Sequence, residues 1–216
     1  MKTNRFSEFI DTLKFSVEAF LFDLDGVLLN SEIVYQQYWE KVALEFGKDP
    51  LVFPFQIKGA DTDSIVSNYI PANDRTRIKQ GFLDLQLHMQ YDLFDGVLEF
   101  IQESQKRNIR TAIVTSSDKA KLEVVYSQHP IFYKIIDVVV TADDIQNKKP
   151  APDCWIKASE KLGVNIKHCV IFEDSTNGQK SALASGGYVV GLTTTHHIDE
   201  IKPLCHYIIG GLADLI

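Results

Sequence analysis

Cysteine is scarce in this chain. Cys154, Cys169 and Cys205 are the only three among 216 residues. Their number is odd, and their spacing suits neither a disulfide framework nor a metal site. They read as reduced thiols, which points to a cytoplasmic protein. Long apolar runs are also missing: none approaches the roughly 20 residues of a membrane span. The first residues lack the apolar core of a signal peptide and carry Glu8 and Asp11. There is no basic cluster, and the formal net charge is -7 with a pI of about 5.3. The electrostatic footprint of a nucleic-acid binder is therefore absent. No internal repeat or low-complexity tract breaks the pattern. What remains is an ordinary globular composition, 45% hydrophobic and 24% charged, long enough for a core domain plus a small one.

Within those bounds the hydrophobic rhythm is informative. Phe6, Phe9, Ile10 and Leu13 recur at helical spacing and predict a short amphipathic helix, part of an N-terminal extension over residues 1–16. A first strand is expected over Val17–Phe22. Helices are expected over Ser31–Phe46 (Ser31 as N-cap, Gly47 as stop), Thr62–Tyr69 and Asn73–Gln90, with a loop over Asp49–Asp61. After Leu93 the rhythm changes. Helices at Gly96–Arg107, Lys119–Gln128, Pro152–Leu162 and Gly178–Ala184 alternate with strands at Arg110–Thr115, Ile135–Val140, Cys169–Phe172, Tyr188–Leu192 and Tyr207–Ile209. Such alternation means βαβ units. The fold class is α/β, a doubly wound parallel sheet with an inserted all-helical domain. The insertion is placed at 32–93 and the core at 1–31 and 94–216, with chain hinges near Asn30–Ser31 and Leu93–Gly96.

The strand ends carry the chemistry. The first strand runs into Asp23-Leu24-Asp25-Gly26, where two carboxylates would be rejected by a strand interior. The second ends in Thr115-Ser116-Ser117-Asp118. A loop after the third holds Lys148-Lys149-Pro150. The fourth runs into Glu173-Asp174-Ser175. A doubly wound sheet gathers these ends on one edge, where ligands bind. Acids, a hydroxyl, free backbone N–H groups and a lysine suit phosphoryl transfer, which is mostly positioning and charge stabilisation. The carboxylates suit Mg²⁺, a hard cation. Thr115 and the Ser116 amide are expected to open a helix and seat phosphate oxygens. Ser117 and Asp118 read as caps for the next helix rather than catalysts. His196 and His197 read as a solvated loop pair, and His88 as structural.

Phe22-Asp23-Leu24-Asp25-Gly26-Val27, Val114-Thr115-Ser116, Lys149-Pro150-Ala151-Pro152 and Phe172-Glu173-Asp174-Ser175 resemble, in order, the four motifs of the haloacid dehalogenase superfamily. The resemblance extends from Val17 to the end. It is closest to the β-phosphoglucomutase-like branch, which carries a helical cap inserted after the first motif. It implies a Rossmann-like core and a division of roles. Asp23 would be the nucleophile that forms an aspartyl-phosphate. Asp25 would be the general acid and then the base. Thr115, Ser116 and Lys149 would hold the phosphoryl group. Asp23, the Asp25 carbonyl, Asp174 and Glu173 would bind Mg²⁺. The cap would close over the substrate, with Lys58, Gly59 and Tyr35 setting specificity.

Asp25 also separates the branches of that superfamily. Its dehalogenases and phosphonate-cleaving members lack this second aspartate, so neither chemistry is expected here, although Lys41 and Lys58 lie in the insertion. The sugar mutase of the branch has an arginine after the Lys-Gly of its cap loop and a histidine on its first cap helix. Here those positions are Thr62 and Tyr35. The expected activity is a Mg²⁺-dependent phosphatase of a small phosphorylated metabolite, a sugar or polyol phosphate. A hexose-phosphate mutase and a catalytically inert binding or regulatory protein stand as the alternatives. No nucleic acid or membrane partner is expected, and the chain reads as a monomer or weak homodimer.

Overall fold

The computed structural model describes residues 5–58 and 62–216. It divides into two compact units, one running to Asn30 and resuming at Asp92–Ile216, the other spanning Ser31–Tyr91. The first begins with α1 (Arg5–Thr12) and β1 (Ala19–Phe22). The second holds α2 (Glu32–Glu45), α3 (Phe53–Gln56), α4 (Thr62–Tyr69) and α5 (Arg75–His88). The first unit then resumes with α6 (Val97–Lys106), β2 (Arg110–Val114), α7 (Lys119–Gln128), α8 (Phe132–Ile135) and β3 (Val138–Val140). It finishes with α9 (Asp153–Leu162), β4 (Cys169–Glu173), α10 (Thr176–Ser185), β5 (Tyr188–Leu192), α11 (Ile198–Ile201) and β6 (Tyr207–Ile209).

The six strands are parallel, in the order β3-β2-β1-β4-β5-β6. The direction of winding reverses between β1 and β4, which makes the crevice there the place for a ligand. β1 is Ala-Phe-Leu-Phe and is buried throughout, as a central strand covered on both faces must be. Its two faces differ. Ala19 and Leu21 join Ala112, Val114, Ile171 and Trp155 in a mainly aliphatic layer with one indole, and α9 packs on that side of β1, β2 and β3. Phe20 and Phe22 face the other way, where Phe22 stacks on Phe172 with ring centroids 5.1 Å apart. α1 completes this aromatic layer. Phe6 lies 4.9 Å from the Phe100 ring, and the Arg107 guanidinium covers Phe6 at 5.0 Å. The N-terminal helix is thus part of the core, since each such buried ring contributes roughly 1.5–3 kcal/mol.

The chain leaves and re-enters this unit at adjacent points. Leu29 and Leu93 form an antiparallel bridge. Asn30 N–H donates to the Asp92 carbonyl at 2.9 Å and Phe94 N–H to the Leu28 carbonyl at 3.0 Å. The helical unit has its own aromatic core, in which Trp39 meets Phe82 at 5.2 Å. Tyr38 donates to the Ile78 carbonyl at 2.6 Å.

Three elements depart from the sequence expectation. The loop expected over Asp49–Asp61 contains α3, opened by Pro54 in its first turn, where a missing N–H costs nothing. The strand expected over Ile135–Val140 divides into α8 and β3; in a short apolar run, periodicity alone does not separate helix from strand. α11 follows β5 where only a loop was expected.

Candidate active site

Register brings the acids together. Phe22 pairs with Ile113 on one side and Phe172 on the other, so one residue further Asp23 stands beside Glu173. The alternation that turns Leu21 and Ile171 toward α9 turns Asp23 and Glu173 the same way. Lys149, in the loop before α9, reaches them both. Its Nζ donates to Asp23 Oδ1 at 2.6 Å and to Glu173 Oε2 at 2.7 Å. The Lys149 ammonium also lies 4.5 Å above the Trp155 ring, and the Lys149–Pro150 peptide is cis. Glu173 Oε1 accepts from Ser175 N–H at 2.9 Å and Ser175 Oγ at 2.7 Å. The same Oγ caps α10, accepting from Gly178 N–H at 3.1 Å.

Asp174 completes the cluster. Asp23, Glu173 and Asp174 are all buried, and each offers an oxygen within 4.8 Å of the others. Two glycines leave room for them. Gly26 has φ +79°, and a Cβ there would lie 2.0 Å from Asp174 Oδ2; a Cβ at Gly178 would lie 2.0 Å from Glu173 Cδ. Three carboxylates face one ammonium, so the cluster carries excess negative charge. Burial, with Lys149 opposing and Glu173 adding, pushes the Asp23 carboxyl up to about 8. Burial works against the Lys149 ammonium, but Asp23 and Glu173 outweigh it and hold the group charged well above its usual range. An all-oxygen, electronegative donor set of this kind fits a hard divalent cation.

The Asp25 carboxylate has donors of its own. Its Oδ2 accepts from Lys121 Nζ and, at 3.3 Å, from Ser117 Oγ. Thr115 is buried at the end of β2, and its Oγ1 accepts from Ser117 N–H at 3.0 Å. Ser116 is exposed. α7 begins only at Lys119, capped by Asp118, whose carboxylate accepts from Lys121 N–H at 2.9 Å. Thr115 and Ser116 therefore lie in the strand-to-helix loop and do not open the helix, as had been expected. The three residues assigned to specificity belong to the helical unit. Lys58 is half-buried with its ammonium 5.7 Å from the Phe55 ring. Tyr35 is buried against Phe82 at 5.1 Å. Gly59 lies outside the described residues.

Residues 20–192, which include every strand from Phe20 onward through β5, match the haloacid dehalogenase-like hydrolase family. The chain belongs to that family. Among relatives of the haloacid dehalogenase-like hydrolase described here is a probable pseudouridine-5'-phosphatase of Saccharomyces cerevisiae. It is 31% identical over 193 residues, covering 81% of this chain and 82% of the relative. Protein SUPPRESSOR OF QUENCHING 1, chloroplastic, of Arabidopsis thaliana is 30% identical over 190 residues. That match takes in 83% of this chain but only 18% of the longer plant protein. A solved haloacid dehalogenase hydrolase of family IA, variant 3, from Entamoeba histolytica superposes with a TM-score of 0.77 at 26% identity. It covers 93% of this chain and 96% of that one.

Several side chains near the site of this hydrolase were not anticipated. Lys121 and Ser117 meet on Asp25, although Ser117 had been read as a cap. Thr194, after β5, donates from Oγ1 to the Gly26 carbonyl at 2.5 Å. His196 is not solvated: its side chain is 10% exposed, with Nδ1 3.4 Å from Glu200 Oε2. Glu200 lies one helical turn away in sequence, a signal that had been present. His197 is exposed as expected. For Lys121 the signal was weaker, a lysine in the first turn of the helix that follows a strand-end Thr-Ser.

Proposed function

We propose that the chain is a Mg²⁺-dependent phosphatase of a small phosphorylated metabolite, a sugar or polyol phosphate, acting through an aspartyl-phosphate on Asp23. It is a phosphoric monoester hydrolase. The observation that carries this reading is the Lys149 ammonium shared between Asp23 and Glu173 inside a buried set of three carboxylates. In this reading Asp23 is the nucleophile, and the fixed positive charge of Lys149 beside it meets the phosphoryl oxygens. Asp23 Oδ forms a bond to phosphorus as the bond from phosphorus to the leaving oxygen breaks. Asp25 gives that oxygen a proton. Water then attacks phosphorus, Asp25 takes back a proton, and the bond from phosphorus to Asp23 breaks to release phosphate. Thr115, Ser116 and Lys149 hold the phosphoryl oxygens throughout. Asp23, Asp174, Glu173 and the Asp25 carbonyl are the residues that would hold Mg²⁺, which when bound neutralises charge on the transferring group.

The yeast relative's name supports a phosphate carried on a sugar. Substrate choice is assigned to the helical unit, with Lys58 as its cation. A cytoplasmic location and a monomer or weak homodimer belong to the same reading. The test is turnover of p-nitrophenyl phosphate by the pure protein with Mg²⁺ and with EDTA. Turnover should require the metal and vanish in Asp23→Ala. Metal-independent turnover, or an Asp23→Ala protein as active as wild type, would refute the proposal.

A further inference from the structure

Lys121 is a charged side chain with almost no access to solvent, 1% exposed, and the steps above do not use it. Taking an ammonium out of water is unfavourable unless a partner answers it, and a methionine of similar volume would fill the same space without that cost. The partner is Asp25. Lys121 Nζ and Ser117 Oγ both donate to Oδ2 of that carboxyl. The two donors come from one short segment whose backbone is itself fixed, because Asp118 accepts from Lys121 N–H at 2.9 Å.

A carboxyl oxygen has two lone-pair sites. On Oδ2 both are taken by these donors, which hold the carboxyl in one orientation. We infer that Lys121 is a positioning residue that, with Ser117, fixes the orientation of the Asp25 carboxyl for its two proton transfers. In the first step the Asp25 carboxyl gives its proton to the leaving oxygen as the bond from phosphorus to that oxygen breaks. In the second, the carboxylate accepts a proton from the attacking water. This role rests on the phosphatase reading, in which Asp25 is the acid.

The consequence is dependence on the leaving group. 2,4-Dinitrophenolate departs without a proton, whereas phenolate needs one far more. The experiment compares kcat/KM for phenyl phosphate and 2,4-dinitrophenyl phosphate in wild type, Asp25→Asn, Lys121→Met and Lys121→Arg, with folding checked by circular dichroism. Lys121→Met should lose roughly tenfold or more on phenyl phosphate and less than about threefold on the dinitrophenyl ester, general acid catalysis being worth about 10²–10⁴-fold in all. Asp25→Asn should show the same selectivity more strongly, and Lys121→Arg should recover most of the loss. Equal losses on both esters in Lys121→Met, or no loss, overturn the role of Lys121 provided Asp25→Asn is selective. An unselective Asp25→Asn overturns the acid assignment itself, and the Lys121 role with it. If Lys121→Met does not fold, Lys121→Gln takes its place under the same criterion.

Discussion

Three glycine-to-alanine changes separate backbone strain from crowding of the carboxylates. Gly163, which ends α9, has φ +72°, and a Cβ there meets nothing within 4 Å. Gly163→Ala therefore carries strain alone, about 1–2 kcal/mol for a non-glycine residue in the left-handed region. For a chain of this size that lowers Tm by roughly 2–4 °C per kcal/mol. Its kcat/KM should be that of wild type. Gly178 is the reverse case. It is helical, so alanine gains up to about 1 kcal/mol of helix propensity, but the new Cβ would stand 2.0 Å from Glu173 Cδ. Glu173 must turn away, and Lys149 loses one of its two partners. Activity should fall by about 10²-fold, the scale of removing one electrostatic contact to the reacting group, and stability should fall as well, because a buried ion pair broken on one side costs about 3–5 kcal/mol, more than the helix propensity gained. Gly26→Ala combines both effects, with φ +79° and a Cβ 2.0 Å from Asp174 Oδ2 and 2.9 Å from Thr195 Oγ1. It should show the stability loss of Gly163→Ala, an activity loss at least that of Gly178→Ala, and weaker Mg²⁺ binding. Urea denaturation, kcat/KM on p-nitrophenyl phosphate and a Mg²⁺ titration read the three quantities. If Gly26→Ala and Gly178→Ala keep wild-type activity and Mg²⁺ affinity, the space beside Asp174 and Glu173 has no catalytic meaning.

Lys149→Met should lower kcat by about 10²–10³-fold, measured with saturating p-nitrophenyl phosphate. It should also cost about 3–5 kcal/mol in chemical denaturation, because Asp23 and Glu173 are left buried without their shared cation. Phe6→Ala should cost about 3–5 kcal/mol, since Phe6 is 1% exposed, while kcat per folded molecule stays at the wild-type value. Burial pushes the Cys169 thiol from 9.0 to about 12. The unfolded chain then loses this proton first as pH rises, so stability should decline between those two values. Urea midpoints across that range should fall less steeply in Cys169→Ala than in wild type, and parallel slopes would refute the assignment.

What was legible in the sequence was local. Asp23, Thr115, Glu173 and Asp174 stand where an apolar strand ends in polar residues, and that transition is visible without knowing which strands are neighbours. Thr62–Tyr69, Lys119–Gln128, Tyr188–Leu192 and Tyr207–Ile209 fall where periodicity alone put them. What escaped depended on distance along the chain. Lys121 meets Asp25 across 96 residues and Thr194 meets Gly26 across 168, and neither lysine nor threonine advertises such a partner. The division of Ile135–Val140 into helix and strand escaped for another reason: its residues suit either state, and only β2, pairing Ala112 with Val138, decides where the strand begins.

The bridge between Leu29 and Leu93, with the hydrogen bond from Asn30 to Asp92, closes the core's chain path before Ser31 departs. The two ends of the insertion are thus already tied, and the sheet need not wait for four helices to form in order to bring β1 and α6 together. In entropic terms Ser31–Tyr91 is one long loop hung on a clasp. Exchanging it for a linker of a few residues would change the closure entropy by only about 2 kcal/mol. The helical insert can be lengthened, traded or redesigned while the crevice between β1 and β4 keeps its register.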